Sequence, residues 1–241
     1  MSTTWLVVGL GNPGPDYAGH RHNVGQMAVS QLASDIGATF KSHKAHALVA
    51  EGWVRPGGPK LVIAKPNTFM NLSGGPVANL LKFYGVEPAN LIVLHDELDI
   101  DFDVIRLKSN GGHGGHNGLR DIIAAIGTNE FNRVRIGIGR PPGRQDAADF
   151  VLSNFNSSER EILPHVLAHA TDAAEKIGIS LHVFAQNEKR RLGVVLLQHR
   201  QNPLRDARRG AVVEGQENPL RVVDLPDQRR EQHSQVAVEL A

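Results

Sequence analysis

Cysteine is absent from all 241 residues, and this removes disulfide scaffolds, thiolate nucleophiles and cysteine-ligated zinc in one step. Aromatic residues are scarce, at 5%, and none follows Phe184. No stretch reaches the roughly 18 uninterrupted apolar residues of a membrane span, and Met1 to Trp5 lacks the basic and apolar regions of a secretory leader. A cytoplasmic protein with no membrane partner is expected. Charge of one sign is also lacking, since the net charge is only +1. It neither indicates nor excludes nucleic acid, because recognition depends on where Lys and Arg cluster. What is present is 41% hydrophobic and 21% charged residues, a balance that supports a packed core in a chain long enough for one α/β domain with an appendage.

Trp5–Leu10 is an apolar run closed by the rigid turn Gly11-Asn12-Pro13-Gly14-Pro15, the pattern of a buried first strand. Val24, Met27, Ala28, Leu32 and Ile36 then recur at helical spacing up to Gly37, where glycine can end a helix. Further strands are expected at Ala47–Val54, Leu61–Lys65, Leu91–His95, Val104–Lys108 and Val134–Ile138. Helical stripes lie between them, with Val77, Leu80, Leu81 and Tyr84 before Gly85, and Leu119, Ile122, Ile123 and Ile126 before Gly127. Ile162, Val166, Ala170, Ala173 and Ile177 form a last stripe. Strands alternating with helices predict an α/β fold, a single globular domain over residues 1–190 with a mixed twisted sheet flanked by helices. Arginines at 190, 191, 200, 205, 208 and 209, and Asn-Pro-Leu-Arg at both 202–205 and 218–221, mark residues 191–241 as a polar C-terminal extension. Such a tail is expected to be mobile.

Three local patterns suggest chemistry that their surroundings do not support. Gly9-Leu10-Gly11-Asn12-Pro13-Gly14 fits the spacing of a dinucleotide-binding turn, but Pro13 and Pro15 bracket the last glycine and no acidic strand end follows in Thr39–Ala45 to take a ribose. Ser73 has Asn71, not glycine, two places before it, where a nucleophile elbow needs glycine; it is expected to cap a helix opened by Pro76. His113 and His116 have no third ligand at a recognisable spacing, so no metal or other cofactor is expected.

Four polar segments follow predicted strands: Gly11–Gly14 with Arg21-His22-Asn23, Pro66–Asn71, His95–Asp99, and Gly111–Asn117. In an α/β sheet such segments are expected to meet at one edge and form the ligand crevice. Taken singly, each polar residue is an ordinary turn former. Together they supply an imidazole base, a carboxylate to steady it and amides to bind a peptide backbone or an oxyanion, with no activated serine or cysteine. Water is the nucleophile that fits this set.

The strings Val8-Gly9-Leu10-Gly11-Asn12-Pro13-Gly14, Arg21-His22-Asn23, Thr68-Phe69-Met70-Asn71-Leu72-Ser73-Gly74, His95-Asp96-Glu97-Leu98-Asp99, Gly111 through Leu119, and Arg135-Ile136-Gly137-Ile138-Gly139 resemble, in the same order, those of bacterial peptidyl-tRNA hydrolases. The resemblance covers about residues 5–185. It implies a monomeric, metal-independent enzyme that cuts the ester between peptide and tRNA, recycling tRNA after premature release from the ribosome. It also implies His22 as catalytic base, Asp96 as its partner, and Asn117 as the residue that positions water or the scissile carbonyl. Asn12 and Asn71 would grip the peptide, Tyr17, Met70 and His116 would line the groove, and Lys108 with Arg135 would clamp a tRNA phosphate. An imidazole paired with a carboxylate should have a raised pKa, and the pairing requires contact far inside about 6 Å. The extension, and Ser109-Asn110 before the glycine loop, depart from the family pattern. Competing readings are a non-enzymatic RNA-binding protein on the same fold and, from the glycine turn alone, a nucleotide-dependent oxidoreductase.

Overall fold

Strand β1 (Thr4–Gly9) is buried along nearly its whole length, as a central parallel strand covered on both faces must be. In the computed structural model, which describes residues 3–178 and the short strand Ala237–Val238, β1 lies between β4 (Lys60–Pro66) and β5 (Leu91–Glu97), parallel to both. β7 (Asn132–Gly137) continues the parallel set beyond β5. Antiparallel margins make the sheet mixed, with β2 (Lys41–His43) and β3 (Ala47–Trp53) beside β4, and β6 (Ile105–Ser109) beside β7. β8 (Ala237–Val238) adds a two-residue parallel pairing to β6. The strand order among the described residues is β2-β3-β4-β1-β5-β7-β6-β8.

Helices cover both faces. On one, α1 (Val24–Asp35) and a helix over 157–178 bury Val24, Ala28, Leu32, Val166 and Ala170 against Val7, Ile63, Ile92 and Leu94. On the other, α2 (Gly74–Tyr84) and α3 (Asn117–Ile126) bury Val77, Leu80, Leu119 and Ile122 against Leu6, Val8, Val62 and Val93. Alternate strand residues thus feed separate cores, and each fully buried aliphatic side chain contributes about 1.5–3 kcal/mol. A short helix, α4 (Ala147–Val151), precedes the 157–178 helix, which we call α5. Among the described residues no helix is long and apolar enough to cross a membrane.

Glycine lets α1 lie directly on the sheet. A Cβ on Gly9 would strike the Gly25 carbonyl, and a Cβ on Gly25 would strike Leu94 O and Leu10 N. The glycine spacing therefore serves helix–sheet contact. Its N–H groups are spent internally, Leu10 N on Leu94 O (3.0 Å) and Asn12 N on the Asn23 side chain (2.9 Å).

Three expectations are corrected. The sequence reading holds no strand at Lys41–His43, because an exposed edge strand with polar side chains carries no burial alternation. Ser73 does not cap α2 through its side chain: its hydroxyl donates to Met70 O (2.7 Å), the helix begins at Gly74 rather than Pro76, and the Asp121 carboxylate of α3 accepts from Gly74 N–H (2.6 Å). β6 runs against β7, so Ser109 lies opposite Asn132 while Asp96 lies opposite Ile136. The glycine loop therefore leaves from the far edge of the sheet and climbs back, whereas the other three polar segments start at the shared edge. The domain boundary near residue 190, the arginine run, the repeated tetrapeptide and the mobility of the extension lie outside the described residues.

Candidate active site

A 3-10 turn over Arg21–Asn23 leads into α1, and it is held from both sides. Asn12 and Asn23 form reciprocal bonds, Asn12 N–H to Asn23 Oδ1 (2.9 Å) and Asn23 Nδ2 to Asn12 O (2.8 Å). The buried Arg21 guanidinium donates to Ser153 Oγ (2.7 Å), Asn154 O (2.6 Å) and the Glu159 carboxylate (2.6 Å), and lies 4.2 Å from the centre of the Phe150 ring. His22 sits between these anchors, with its backbone fixed by its neighbours.

The ring of His22 meets the end of β5. Its Nδ1 is 2.9 Å from both carboxylate oxygens of Asp96, which is buried. Nδ1 donates to the carboxylate, leaving Nε2 with its lone pair. Burial pulls the His22 pKa down, but the charge of Asp96 and its hydrogen bond outweigh that pull and leave it above 6.5. Burial likewise opposes ionisation of Asp96, yet the imidazoles of His22 and His116 hold its carboxyl well below the usual carboxylate range. His116 Nε2 lies 3.0 Å from Asp96 Oδ1, while its Nδ1 accepts from Leu119 N–H (3.4 Å) at the start of α3. The ring is therefore shared between Asp96 and a helix cap, besides lining the groove.

A third imidazole lies beneath. His95 is buried, donates Nδ1–H to the Asp96 carbonyl (2.8 Å) and has no partner at Nε2 among the described residues. Burial, followed by the proximity of His116, pushes it down to about 3. The sequence motif gives His95 no role, because only the fold turns it inward.

His22, Asp96, His116 and Asn117 share one cleft of about 340 Å³, walled by Leu98, Ala148 and Val151. Asn12 adjoins it: Asn12 Oδ1 accepts from Met70 N–H (2.8 Å), and Met70 Sδ lies where a Cβ on Gly118 would go. Asn71 is exposed beside Met70 on the next 3-10 turn. Tyr17 packs edge-on against His20 and Phe69. A family profile described as peptidyl-tRNA hydrolase matches residues 6–191. The chain belongs to the peptidyl-tRNA hydrolase family. It is 60% identical over 187 residues to the peptidyl-tRNA hydrolase of Leifsonia xyli subsp. xyli, covering 78% of this chain and 97% of that one. It is 51% identical over 193 residues to that of Kineococcus radiotolerans, covering 78% and 98%. The crystal structure of peptidyl-tRNA hydrolase from Acinetobacter baumannii superimposes with a TM-score of 0.69 at 41% identity, over 78% of this chain and 94% of that one.

In this member of the peptidyl-tRNA hydrolase family the cationic residues lie beyond α3. Arg106 is directly opposite Arg135, and Lys108 directly opposite Arg133, two like-charge pairs that cost stability unless something negative is held there. Arg135 is not free, since its Nε donates to Glu97 (3.1 Å). Buried Arg133, pushed down to about 10 by burial and by Arg135, donates to the carbonyls of Gly111 and Gly112 and so pins the climbing loop. Sequence reading missed Arg133, although strand alternation puts it on the same face as Arg135. Among the described residues His22, Asp96 and His116 also offer donor atoms within 4.8 Å of one another; a cation there would have to replace the protons that the two imidazoles share with Asp96.

Proposed function

We propose that His22 is the general base with which this chain hydrolyses the ester bond of peptidyl-tRNA, with water as nucleophile and Asp96 as the group that holds the ring. The chain hydrolyses that bond as a member of its family, returning a free peptide and tRNA. The observation that carries the assignment is the 2.9 Å contact of His22 Nδ1 with a buried carboxylate, which fixes the tautomer and turns Nε2 outward as the acceptor. Nε2 takes a proton from water as the oxygen attacks the ester carbonyl. Asn117, with Asn71, donates to the oxyanion of the tetrahedral intermediate. The C–O bond to the tRNA then breaks, and the imidazolium returns its proton to the 3′ oxygen.

The remaining assignments belong to the same proposal. Asn12 and Asn71 grip the peptide beside the ester, with Tyr17, Met70 and His116 along the groove, and Lys108 with Arg135 receives a tRNA phosphate. The protein acts as a cytoplasmic monomer without a cofactor. Because the pKa of His22 is raised, its free-base fraction, and with it kcat/KM, should climb as pH rises through a value above 6.5. His22→Asn should still fold while losing about 10²–10⁴-fold in kcat on purified peptidyl-tRNA. Wild-type turnover by that variant would remove the base assignment, and peptide release by the parent protein excludes a purely RNA-binding role.

A further inference from the structure

Charge of one sign collects on the flank of the sheet far from β6. Between Asp35 and Glu87 the sequence holds six cations, Lys41, Lys44, Arg55, Lys60, Lys65 and Lys82, and one carboxylate, Glu51, in a chain whose net charge is only +1. Register assigns them to faces. Lys41 pairs with Val49 and His43 with Ala47, and both partners belong to the core under α2, so Lys41 and His43 are on the α2 side. Lys65 pairs with Leu48 and falls on the opposite face. Glu51 is spent on Lys60 (2.6 Å) and on the Tyr84 hydroxyl (2.8 Å). Lys41, Lys44 and Lys82 are left without a carboxylate within ion-pair distance among the described residues.

Two of these lysines flank an exposed aromatic ring. Lys44, Lys82, His43, Asn79 and Phe83 line an open groove of about 470 Å³ between the β2–β3 turn and α2. Phe83 is 53% exposed; Lys44 Nζ lies 4.8 Å from its ring centre, and His43 meets it edge-on at 4.7 Å. A ring set among uncompensated ammonium groups does not suit an apolar partner, because docking one would desolvate the cations. A nucleotide satisfies both halves: an unpaired base covers the ring while its phosphates meet the lysines.

We propose that this groove is a second RNA-binding site, which takes an unpaired nucleotide against Phe83 and its backbone phosphates on Lys41, Lys44 and Lys82. It is separate from the phosphate clamp, since β2 and β6 are six strand spacings apart in the sheet order, roughly 29 Å.

The test is fluorescence anisotropy with a labelled single-stranded RNA of about 12 nucleotides, a length suited to one such groove. The protein is the full chain carrying Lys108→Ala and Arg135→Ala, so that the clamp contributes nothing. In that background Phe83→Ala should weaken binding at least about fivefold, and Phe83→Leu, which keeps apolar bulk, nearly as much. Lys41→Gln, Lys44→Gln and Lys82→Gln together should lower the slope of log affinity against log salt by about 2. With Lys108 and Arg135 intact, the groove variants should keep kcat; a raised KM would identify the substrate's own tRNA as the RNA bound, and an unchanged KM a separate RNA. The proposal is overturned if the clamp-less parent does not bind, if folded groove variants bind as it does, or if a blunt RNA duplex or polyglutamate binds as tightly as the single strand.

Discussion

Asp96 carries one negative charge and faces two imidazoles, and this imbalance governs its chemistry. Replacing it with asparagine keeps the shape but removes the anion that raises His22. Asp96→Asn should therefore move the rising limb of the pH–rate profile to lower pH and reduce kcat by about 10²-fold or more; an unmoved limb would reject the pairing as the cause of the shift. His95 acts in the opposite sense. Its unfolded imidazole binds a proton near 6.5, its folded one only at about 3, so as pH falls through that window the unfolded chain gains a proton that the native state refuses. Stability should drop by up to about 1.4 kcal/mol per pH unit from this group alone. His95→Gln should flatten that slope in urea unfolding between about pH 6 and 4, and an unchanged slope would assign the acid sensitivity elsewhere. Asp96, with its lowered pKa, adds stability above the ordinary carboxylate range that is lost as pH falls through its folded value. His22, raised, adds stability below 6.5 that is lost as pH rises through its folded value. The motif strings carried His22 and Asp96 legibly. They could not show that His116 also bonds Asp96 or that His95 turns inward, because both depend on contacts between segments distant in the chain.

At the scale of elements, the crossing of α1 over β1 decides where His22 stands. Gly25→Ala would press a methyl group into Leu94 O and Leu10 N, both backbone atoms. We expect a loss of about 1–3 kcal/mol in urea unfolding together with reduced kcat, since the helix begins two residues after His22. Full activity would show that the turn holds His22 independently of α1. Apolar runs and glycine stops located the central strands and helices well, because burial on both faces leaves a strong pattern. β2 escaped notice because an edge strand has little to bury. The direction of β6 escaped as well: a strand's alternation is the same read either way, and only its pairing with β7 shows that the glycine loop starts at the wrong edge and must return.

For the whole molecule the near-neutral net charge conceals two basic surfaces, one at each margin of the sheet. KM for peptidyl-tRNA should therefore rise steeply with salt, and Lys108→Ala should lower the slope of log KM against log salt by about 1, uniformly across different tRNAs. An unaltered slope would mean that Lys108 meets no phosphate. The sum of charges could not reveal this, because register assigns each lysine to a face and sequence alone does not give register. The Arg21 anchor has a consequence for timing. Its carboxylate, Glu159, and its carbonyl acceptors at Ser153 and Asn154 are more than 130 positions later in the chain. A nascent copy on the ribosome is itself joined to tRNA by the kind of bond it is built to sever, and until residue 159 has emerged the turn bearing His22 lacks one of its two anchors, although Asn12, Asn23 and Asp96 precede it in the chain. Chain order thus supplies the second anchor of the catalytic turn well after Asp96, the carboxylate that meets His22.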